Sequence, residues 1–302
     1  MYDIIVIGGG PAGLTAALYA RRQNKSVLVL EKNSFGGQTV YSPKIENYPG
    51  FIEMSGVEFS DKLVDQVLNQ GAELEMEEVI SISVSDDIKT VTTDSGSHEC
   101  KAVILACGAR HRLLGLENEE ELIGNGISFC AVCDGAFYKD KTVAVIGGGN
   151  SALQEALLLC QTSKKVYVVQ NLAFLTGETK LAQSIESKDN AEIILNTVVT
   201  ELIGDGQLSA IKLKNTENGL ESVLKVDGMF TAIGLVPDND AAKEIINLDE
   251  RGYIISDENT LTNVNGIFAA GDCRTKGVRQ IATAISDGAS AALAACRYIE
   301  QG

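Results

Sequence analysis

The chain has 302 residues, with 25 lysines and arginines against 41 aspartates and glutamates, and a formal net charge of −16. This acidity disfavours nonspecific binding to nucleic acid or to anionic membranes, because both carry charge of the same sign. The length allows two domains with separate cores, and the 45% hydrophobic content is that of an ordinary soluble protein.

Targeting signals and membrane spans are not expected from this sequence. The first residues lack the basic n-region and the cleavage site of a signal peptide. No apolar run approaches the roughly 20 residues that cross a bilayer as a helix. The seven cysteines have no framework spacing, which fits a reducing compartment better than a disulfide scaffold. We therefore predict a cytoplasmic protein.

A glycine-rich motif follows the first predicted strand. Residues 3–7 are nearly all apolar, as in a central strand of a parallel sheet. Residues 8–13 (GGGPAG) come directly afterwards and precede a helix that we predict to end near Gln23, and a second strand covers residues 26–31. A GxGxxG motif in this strand–turn–helix setting predicts a dinucleotide-binding unit rather than only a tight turn.

The residues of this motif have separate expected roles. Gly8 allows the tight turn, Gly10 lets the backbone approach a pyrophosphate, and Gly13 permits close packing of the helix on the strand. Glu31 ends the second strand, where a carboxylate can accept hydrogen bonds from ribose hydroxyls.

The next part of the chain reads as loops, one helix and several short strands. Residues 36–38 and 45–51 are predicted loops, and residues 56–70 carry a helical period of apolar side chains. Short strands rich in β-branched residues fill residues 72–105, with a hairpin around residues 94–96.

Two cysteines three residues apart, Cys130 and Cys133, lie near the middle of the chain, and Asp134 follows the second. Such a pair can form a small-ring disulfide that accepts and donates two electrons by thiol exchange. The alternative is a structural pair or half of a zinc site, and it needs a second pair of ligands that the scattered remaining cysteines and the two histidines do not supply. We therefore predict a redox-active dithiol.

The first pattern recurs after the cysteine pair. Strand 142–146 leads into residues 147–152 (GGGNSA), a helix predicted to end near Thr162, and a strand at residues 165–169. Repetition of a Rossmann half-motif implies a second domain of the dinucleotide-binding type. Further strands are predicted at 191–201, 208–214, 221–226 and 226–233.

The last segment contains a short apolar strand that ends in Gly271 and Asp272. This places a carboxylate at the carboxyl end of a strand, where cofactors bind in α/β sheets. Arg279 and Gln280 precede a long alanine-rich helix predicted over residues 281–299, whose N-terminal end suits contact with a cofactor.

Taken together, these motifs resemble the low-molecular-weight thioredoxin reductases, which are FAD-containing flavoproteins with two dinucleotide-binding domains. The motifs GGGPAG, ENYPGF, CAVCDGAFY, GGGNSA and GIFAAGD, with the later RQ, occur in the family's order and span essentially the whole chain. The CxxCDG stretch between two Rossmann motifs is the most specific of these features.

The resemblance implies an α/β fold of two Rossmann-like three-layer domains, the second inserted in the first. Residues 1–113 and 243–302 would form the FAD-binding domain. The inserted NAD(P)-binding-like domain, residues 114–242, would carry the dithiol. The resemblance also implies a homodimer, and a rotation of the inserted domain on linkers near residues 113–117 and 238–244.

By motif position, the resemblance also assigns residues to the cofactor. The ADP half of FAD would be held by Gly8, Gly10, Pro11, Ala12, Gly13 and Glu31. The flavin side would be lined by Gly37, Gln38 and Asn47. The ribityl chain, the pyrophosphate and the ring would be reached by Asp272, Arg279, Gln280 and Ile281.

The resemblance gives the dithiol an order of events. Electrons from reduced flavin would enter at Cys133, which leaves Cys130 to attack the disulfide of thioredoxin. A dithiol at the start of a helix is activated as a thiolate by backbone N–H groups. Asp134 would donate or accept a proton beside Cys133, and a helix-capping role for this carboxylate is the alternative.

The second domain departs from the family pattern. Members that use NADPH carry His-Arg-Arg after the second glycine motif and a further Arg nearby, and these cations hold the 2′-phosphate. Here the matching positions are Gln170, Asn171 and Leu172, with Thr176 at the later one, and residues 166–179 contain neither Lys nor Arg. A phosphate would therefore lack a charge-assisted donor from this segment.

This combination looks like the pyridine-nucleotide-independent, ferredoxin-linked thioredoxin reductases of anaerobic bacteria. Because ferredoxins are usually acidic and this chain is acidic too, docking would need a local basic patch. The candidate residues for such a patch are Arg110, Arg112, Lys139, Lys141, Lys164 and Lys165. An ordinary solvated surface explains these residues equally well.

Three other hypotheses stay open. The chain could be an NADPH- or NADH-dependent thioredoxin reductase with an unusual nucleotide pocket, since two neutral amides can still bond a ribose. It could be a flavin-binding redox sensor that uses the dithiol without turnover. A ferredoxin–NADP reductase of this architecture is disfavoured, because it would need neither cysteine of the pair.

Overall fold

The computed structural model describes residues 1–42 and 45–301. Two units divide the chain, and one of them, His111–Leu235, interrupts the other, which consists of Met1–Arg110 and Val236–Gly302. Gly302, which the sequence analysis includes in the first domain, lies outside the described residues.

The helices and strands alternate along most of the chain, with several short 3-10 turns between them. In chain order they are β1 (Tyr2–Ile7), α1 (Pro11–Arg22), β2 (Val27–Glu31), α2 (Gly56–Asn69), β3 (Glu73–Met76), β4 (Val79–Ser85), β5 (Ile88–Thr93), β6 (Ser97–Leu105), β7 (Ala109–His111), β8 (Ile127–Ser128), α3 (Ala131–Asp134), β9 (Thr142–Ile146), α4 (Asn150–Leu159), β10 (Lys165–Val169), α5 (Thr179–Glu186), β11 (Ala191–Ile194), β12 (Thr197–Gly204), β13 (Leu208–Asn215), β14 (Glu221–Lys225), β15 (Gly228–Thr231), β16 (Leu235–Pro237), β17 (Ile267–Ala269) and α6 (Ile281–Gln301).

The first unit is built on a sheet with the strand order β3-β2-β1-β6-β5-β4, and β17 pairs with β6. Strands β1, β2, β3, β6 and β17 are parallel, whereas β4 and β5 run antiparallel. A parallel sheet must be covered on both faces, and β1 shows this directly. Its side chains Ile4 and Val6 join a core with α1 and α6, while Ile5 and Ile7 join a core on the other face.

The second unit repeats this plan on a smaller scale. Its parallel sheet has the order β11-β10-β9-β15-β8, and an antiparallel sheet has the order β12-β13-β14. Strands β7 and β16, which cross the boundaries between the units, pair with each other. The predicted α/β fold with two Rossmann-like domains is confirmed.

The element predictions hold with local exceptions. The predicted turn at residues 94–96 joins β5 to β6, and the predicted helix at residues 56–70 is α2. The strand predicted at 191–201 is wrong as a single element, because Asn196 adopts φ 50° and divides it between two sheets. Among the described residues, none of the helices is long and apolar enough to cross a membrane.

A polar cluster lies at the N-terminal end of β1 in the first sheet. Asp3 accepts hydrogen bonds from the backbone and hydroxyl of Ser26 at 2.9 and 3.0 Å and from Lys101 Nζ at 2.8 Å. Burial alone would raise the pKa of Asp3, but these hydrogen bonds outweigh it and lower the pKa from 3.8 to about 2. The charged form therefore stabilises the folded chain.

We expect Asp3→Asn to lower the free energy of unfolding by about 1 kcal/mol at pH 7, a value reduced for partial exposure of the carboxylate. Because the folded pKa lies below the ordinary value of 3.8, the stabilisation is present above that pH and is lost as the pH falls through about 2. Urea unfolding of both proteins across this range measures the difference. Asp61→Asn, on the exposed face of α2, is the control, and a loss independent of pH would contradict the assignment.

Candidate active site

The glycine-rich turn after β1 is held by close backbone contacts. Gly8 has φ +105°, and a Cβ there would collide with the carbonyl oxygen of Ala106 at the end of β6. A Cβ on Gly13 would collide with the carbonyl oxygen of Gly8. The turn therefore requires glycine at both positions, as the sequence predicts, and Pro11 opens α1 directly behind it.

Glu31 and Gly37 lie against the same turn. Glu31 Oε2 accepts a hydrogen bond of 2.8 Å from the backbone N–H of Gly9, which fixes the carboxylate at the end of β2. The nearest atom to a Cβ built on Gly10 would be Gly37 Cα at 3.9 Å. Gly37 begins a 3-10 turn, Gly37–Tyr41, that also contains Gln38. Predicted residues from two separate loops thus meet at the carboxyl edge of the sheet.

A buried charge cluster positions the turn that carries Asp272. Asp287 in α6 accepts hydrogen bonds from Gly271 N (2.9 Å), Arg274 Nε and Nη2 (2.9 and 2.8 Å) and Lys276 Nζ (2.8 Å). Burial raises the pKa of Asp287, but the bonds from Arg274 and Lys276 lower it overall, so the group is ionised. The cluster was not predicted, because nothing in sequence spacing distinguishes an aspartate inside a helix from a solvated one.

The remaining predicted residues lie at the start of α6. Asn47 Nδ2 donates to Gln280 Oε1 at 3.1 Å, which joins the early loop to the segment before the helix. The Arg279 guanidinium lies 4.2 Å from the centroid of the Tyr253 ring and donates to backbone carbonyls of its own loop, including that of Asp272 at 3.3 Å. Ile281 is the first residue of α6.

The residues at this edge fit a dinucleotide with hydroxyl groups. Asp272 Oδ1 is buried and has no hydrogen-bond partner among the described residues, and burial raises the pKa of this carboxyl. A buried acceptor without a donor costs free energy, so a donor from a bound group is expected there. The uncrowded Gly10 position, where an added Cβ would meet only Gly37 Cα at 3.9 Å, completes the arrangement expected for a dinucleotide together with the N-terminus of α1 and the Glu31 carboxylate.

The two cysteines of the predicted dithiol lie at the start of the short helix α3 in the second unit. Cys130 and Cys133 form a disulfide with their Cα atoms 5.3 Å apart. Cys130 is the N-cap of α3, and its Sγ accepts a hydrogen bond of 3.2 Å from the backbone N–H of Cys133. Val132, between the two cysteines, is 63% exposed. Both cysteines are half-buried, and the accessible apolar side chain of Val132 lies between them in the chain.

Asp134 is anchored on one side only. Ser128 Oγ donates to Asp134 Oδ2 at 2.6 Å, while Oδ1 is buried without a partner among the described residues. Burial raises the pKa of Asp134, and the bond from Ser128 offsets part of this rise. The N-cap of α3 is Cys130, and Asp134 makes no side-chain capping bond to the turn after it. The helix-capping alternative for Asp134 is therefore not what the structure shows.

The second glycine-rich turn is present, but the loop after β10 beside it carries no cation. The buried Gln170 side chain lies against Gly148. Its amide donates to the carbonyl of Phe174 at 3.3 Å and accepts from Asn171 N at 3.2 Å. Leu172 and Phe174 are 40% and 61% exposed. The amide of Gln170 is thus used inside its own loop, and the exposed side chains of Leu172 and Phe174 in this loop are apolar.

The other cysteines and histidines add no second constellation. Cys107 and Cys273 lie at strand ends of the first unit, and burial raises the pKa of both thiols, that of Cys273 to about 11. Among the described residues, no three His, Cys, Asp or Glu side chains are grouped so that they could hold a metal ion. His111 stacks on Phe129 with centroids 4.4 Å apart, and burial lowers its pKa to about 4.

Comparison with known proteins gives one family. A model of the pyridine nucleotide-disulphide oxidoreductases matches residues 2–288. A thioredoxin reductase of Listeria innocua is 43% identical over 302 residues, which are 100% of this chain and 95% of the relative. The crystal structure of thioredoxin reductase from Streptococcus pyogenes has a TM-score of 0.94 at 40% identity, covering 100% of this chain and 99% of that one. Thioredoxin reductase from Giardia duodenalis gives 0.90 at 33% identity, covering 99% of each chain.

The contacts around Gly10 predict how the first site responds to a methyl group. Gly10→Ala should leave the fold intact, because the nearest atom to the new Cβ is 3.9 Å away, but should lower the dinucleotide retained through purification, because the methyl occupies the space of a pyrophosphate. Release and quantification of the bound nucleotide measure this. Gly96→Ala, at a hairpin turn with nothing within 4 Å of its Cβ, is the control. Equal occupancy in both variants would place the dinucleotide elsewhere.

Proposed function

The chain belongs to the pyridine nucleotide-disulphide oxidoreductases and, within them, to the FAD-binding thioredoxin reductases, and we propose that its electrons come from reduced ferredoxin rather than from NADPH. The observation that carries the proposal about the donor is the neutral loop after β10, in which Gln170 bonds to its own segment. The route from the flavin to thioredoxin runs through Cys130 and Cys133.

The edge of the first sheet would hold FAD. Glu31 would accept hydrogen bonds from the ribose, and Asp272 would use its unpartnered Oδ1 for a hydroxyl of the ribityl chain. The backbone of the glycine turn at the start of α1 would bind the pyrophosphate, with the early loops and the start of α6 on the flavin side. When bound, FAD supplies the two electrons that reduce the disulfide. The other residues that we propose to contact FAD are Gly8, Gly10, Pro11, Ala12, Gly13, Gly37, Gln38, Asn47, Arg279, Gln280 and Ile281.

The dithiol would pass these electrons on by exchange. After reduction, the N–H of Cys133 that bonds to Cys130 Sγ would stabilise a thiolate at that sulfur. The Cys130 thiolate attacks a sulfur of the thioredoxin disulfide, and a mixed disulfide forms as the other thioredoxin sulfur leaves. Cys133 then attacks Cys130, restoring the internal disulfide and releasing reduced thioredoxin. Asp134 would move the protons of Cys133 in both directions.

The nucleotide edge of the second unit argues against NADPH. Charge-assisted hydrogen bonds from Arg or Lys normally hold a 2′-phosphate, and residues 166–179 supply none. The one buried polar side chain at the end of β10, Gln170, has its amide committed to Phe174 and Asn171. Desolvating a phosphate against exposed Leu172 without such a partner is unfavourable.

A local patch supports an acidic protein donor despite the net charge of −16. Lys164 N donates to the carbonyl of Lys141 at 2.8 Å, so these two residues and their neighbours Lys139 and Lys165 lie together in the second unit. Lys165 is paired with Glu192 at 3.0 Å, whereas Lys139, Lys141 and Lys164 are exposed to solvent. We propose this patch as the first contact of ferredoxin.

A pyridine nucleotide is the second candidate donor. The turn of residues 147–152 keeps its position after β9 and opens α4, as a pyrophosphate site requires, and the matched family is one of pyridine nucleotide enzymes. We also propose a homodimer, which light scattering coupled to size exclusion tests.

The exchange route predicts different effects for cysteines of the same unit. Cys133→Ser should retain FAD and lose thioredoxin reduction to background, because no internal disulfide can form. Cys160→Ser, at the end of α4 and outside any disulfide, should reduce thioredoxin as the wild type does. Thioredoxin thiols released per minute and flavin absorbance measure both. A Cys133→Ser protein that still turns over would refute the route.

The donor is tested by anaerobic mixing with NADPH, NADH or reduced ferredoxin while flavin absorbance and thioredoxin thiols are followed. We expect fast bleaching and thiol formation with ferredoxin alone. Fast bleaching by NADPH would overturn the proposed donor. Bleaching by ferredoxin without thiols would argue against thioredoxin, and no bleaching by any donor would favour a redox sensor.

The missing cations are tested by restoring them. The double variant Asn171→Arg/Leu172→Arg should improve the apparent affinity for NADPH by about tenfold or more, since hydrogen bonds to charged groups contribute about 1.5–3 kcal/mol. Its neutral control is Asn171→Gln/Leu172→Gln. Equal NADPH affinity in the two variants would show that the absent charges are not the reason for the discrimination.

A further inference from the structure

Asp134 lies in an unusual environment for a carboxyl group. Its Oδ2 is held by the Ser128 hydroxyl at 2.6 Å, and its buried Oδ1 lacks a partner among the described residues. An unsatisfied buried acceptor is costly and needs an explanation. In the oxidised state the sulfurs of Cys130 and Cys133 are joined to each other and carry no proton. Reduction creates thiols that can share a proton with this oxygen.

Ser128 links this carboxyl to the dithiol. Besides donating to Asp134, its oxygen accepts a hydrogen bond of 3.1 Å from the backbone N–H of Cys130. Ser128 is 5% exposed and ends β8, which pairs with β15 in the parallel sheet. One hydroxyl on a rigid strand therefore fixes both the carboxyl group and the first residue of the cysteine pair.

We propose that Ser128 is a positioning residue of the dithiol, which holds Asp134 by Oδ2 so that Oδ1 stays free to exchange protons with the reduced cysteines. The inference rests on the proposed function, because it takes Asp134 as the group that moves the proton. When two electrons break the Cys130–Cys133 bond, both sulfurs are released as thiolates; Cys133 takes the proton of the Asp134 carboxyl, and Cys130 stays a thiolate. When Cys133 later attacks Cys130, its proton returns to Oδ1.

The surroundings of Asp134 favour such proton exchange. The helical segments that pack on α3 are α4 and the turn Gly135–Tyr138. Their ionisable groups are Glu155, whose pKa burial raises to about 8, and Tyr138, whose pKa burial and the charges of Asp134 and Asp227 raise to about 12. Both are mainly neutral at pH 7, so Ser128 is the group that offsets the effect of burial on the pKa of Asp134.

The test compares Ser128→Ala, Ser128→Thr and Asp134→Asn in the reduced holoenzyme. Two pH profiles are measured: alkylation of the dithiol by iodoacetamide, followed by mass spectrometry, and turnover with thioredoxin. In Ser128→Ala we expect turnover at pH 7 to fall about tenfold. We expect Asp134→Asn to abolish the part of both pH profiles that reports the titration of Asp134. Ser128→Ala should move the same part of both profiles to higher pH. Ser128→Thr, which keeps the hydroxyl, should restore both.

Ser163→Ala is the matched control. Ser163 is also 5% exposed in the second unit, and its hydroxyl donates to a backbone carbonyl, that of Tyr138, at 3.1 Å. It should leave both profiles unchanged, which separates positioning from the general cost of removing a buried hydroxyl.

Two results would overturn the proposal. One is a Ser128→Ala profile identical to that of the wild type while Asp134→Asn shifts it. The other is an Asp134→Asn protein with unchanged alkylation, since Ser128 would then position nothing. The alkylation profile needs neither ferredoxin nor thioredoxin, so failure of the proposed donor or acceptor, seen only in turnover, is distinguished from failure of the positioning role.

Discussion

The edge of the first unit where we propose that FAD binds depends on a charge that is buried and must be paired. Asp287 gathers Arg274, Lys276 and the N–H of Gly271 around one carboxylate. Removing one member of such a group typically costs about 3–5 kcal/mol, because the others are left buried and unpaired. The cluster ties the turn after β17 to helix α6, and this is how Asp272 is held at the carboxyl end of the sheet. The strand, the helix and the edge proposed for the dinucleotide are therefore held in place by one charge cluster.

Three carboxyl groups are left partly unsatisfied among the described residues, those of Asp134, Glu155 and Asp272, and two of them belong to the proposed sites. Asp272 and Asp134 each have a buried oxygen without a partner among the described residues, in contrast to Asp287. In both, burial raises the pKa. Incomplete satisfaction is destabilising unless another group completes it, and a bound hydroxyl or a newly formed thiol can do so. The same physical argument thus supports the proposed binding role of Asp272 in one unit and the proposed proton-transfer role of Asp134 in the other.

The second unit keeps the form of a dinucleotide site without its charges. The turn after β9 opens α4 as in the first unit, yet the loop after β10 satisfies its own amide and exposes Leu172 and Phe174. Backbone geometry at such a site follows from the packing of strand, turn and helix, whereas affinity for a phosphate follows from the side chains at its rim. The family fold therefore implies thioredoxin reductase chemistry, while we propose that the side chains at the rim determine which donor is accepted.

Local pattern alone was enough to predict both glycine turns, the dithiol and the α/β class. These features are short-range: a GxGxxG turn or a CxxC pair is complete within about six residues and needs no distant contact. The strand at 191–201 was predicted wrongly because Asn196 turns the chain between two sheets, which no periodicity reveals. The sequence patterns did not predict any role for Ser128 or Asp287. Their roles arise from side chains that meet across strands and helices, and only the tertiary structure decides whether a buried polar group has a partner.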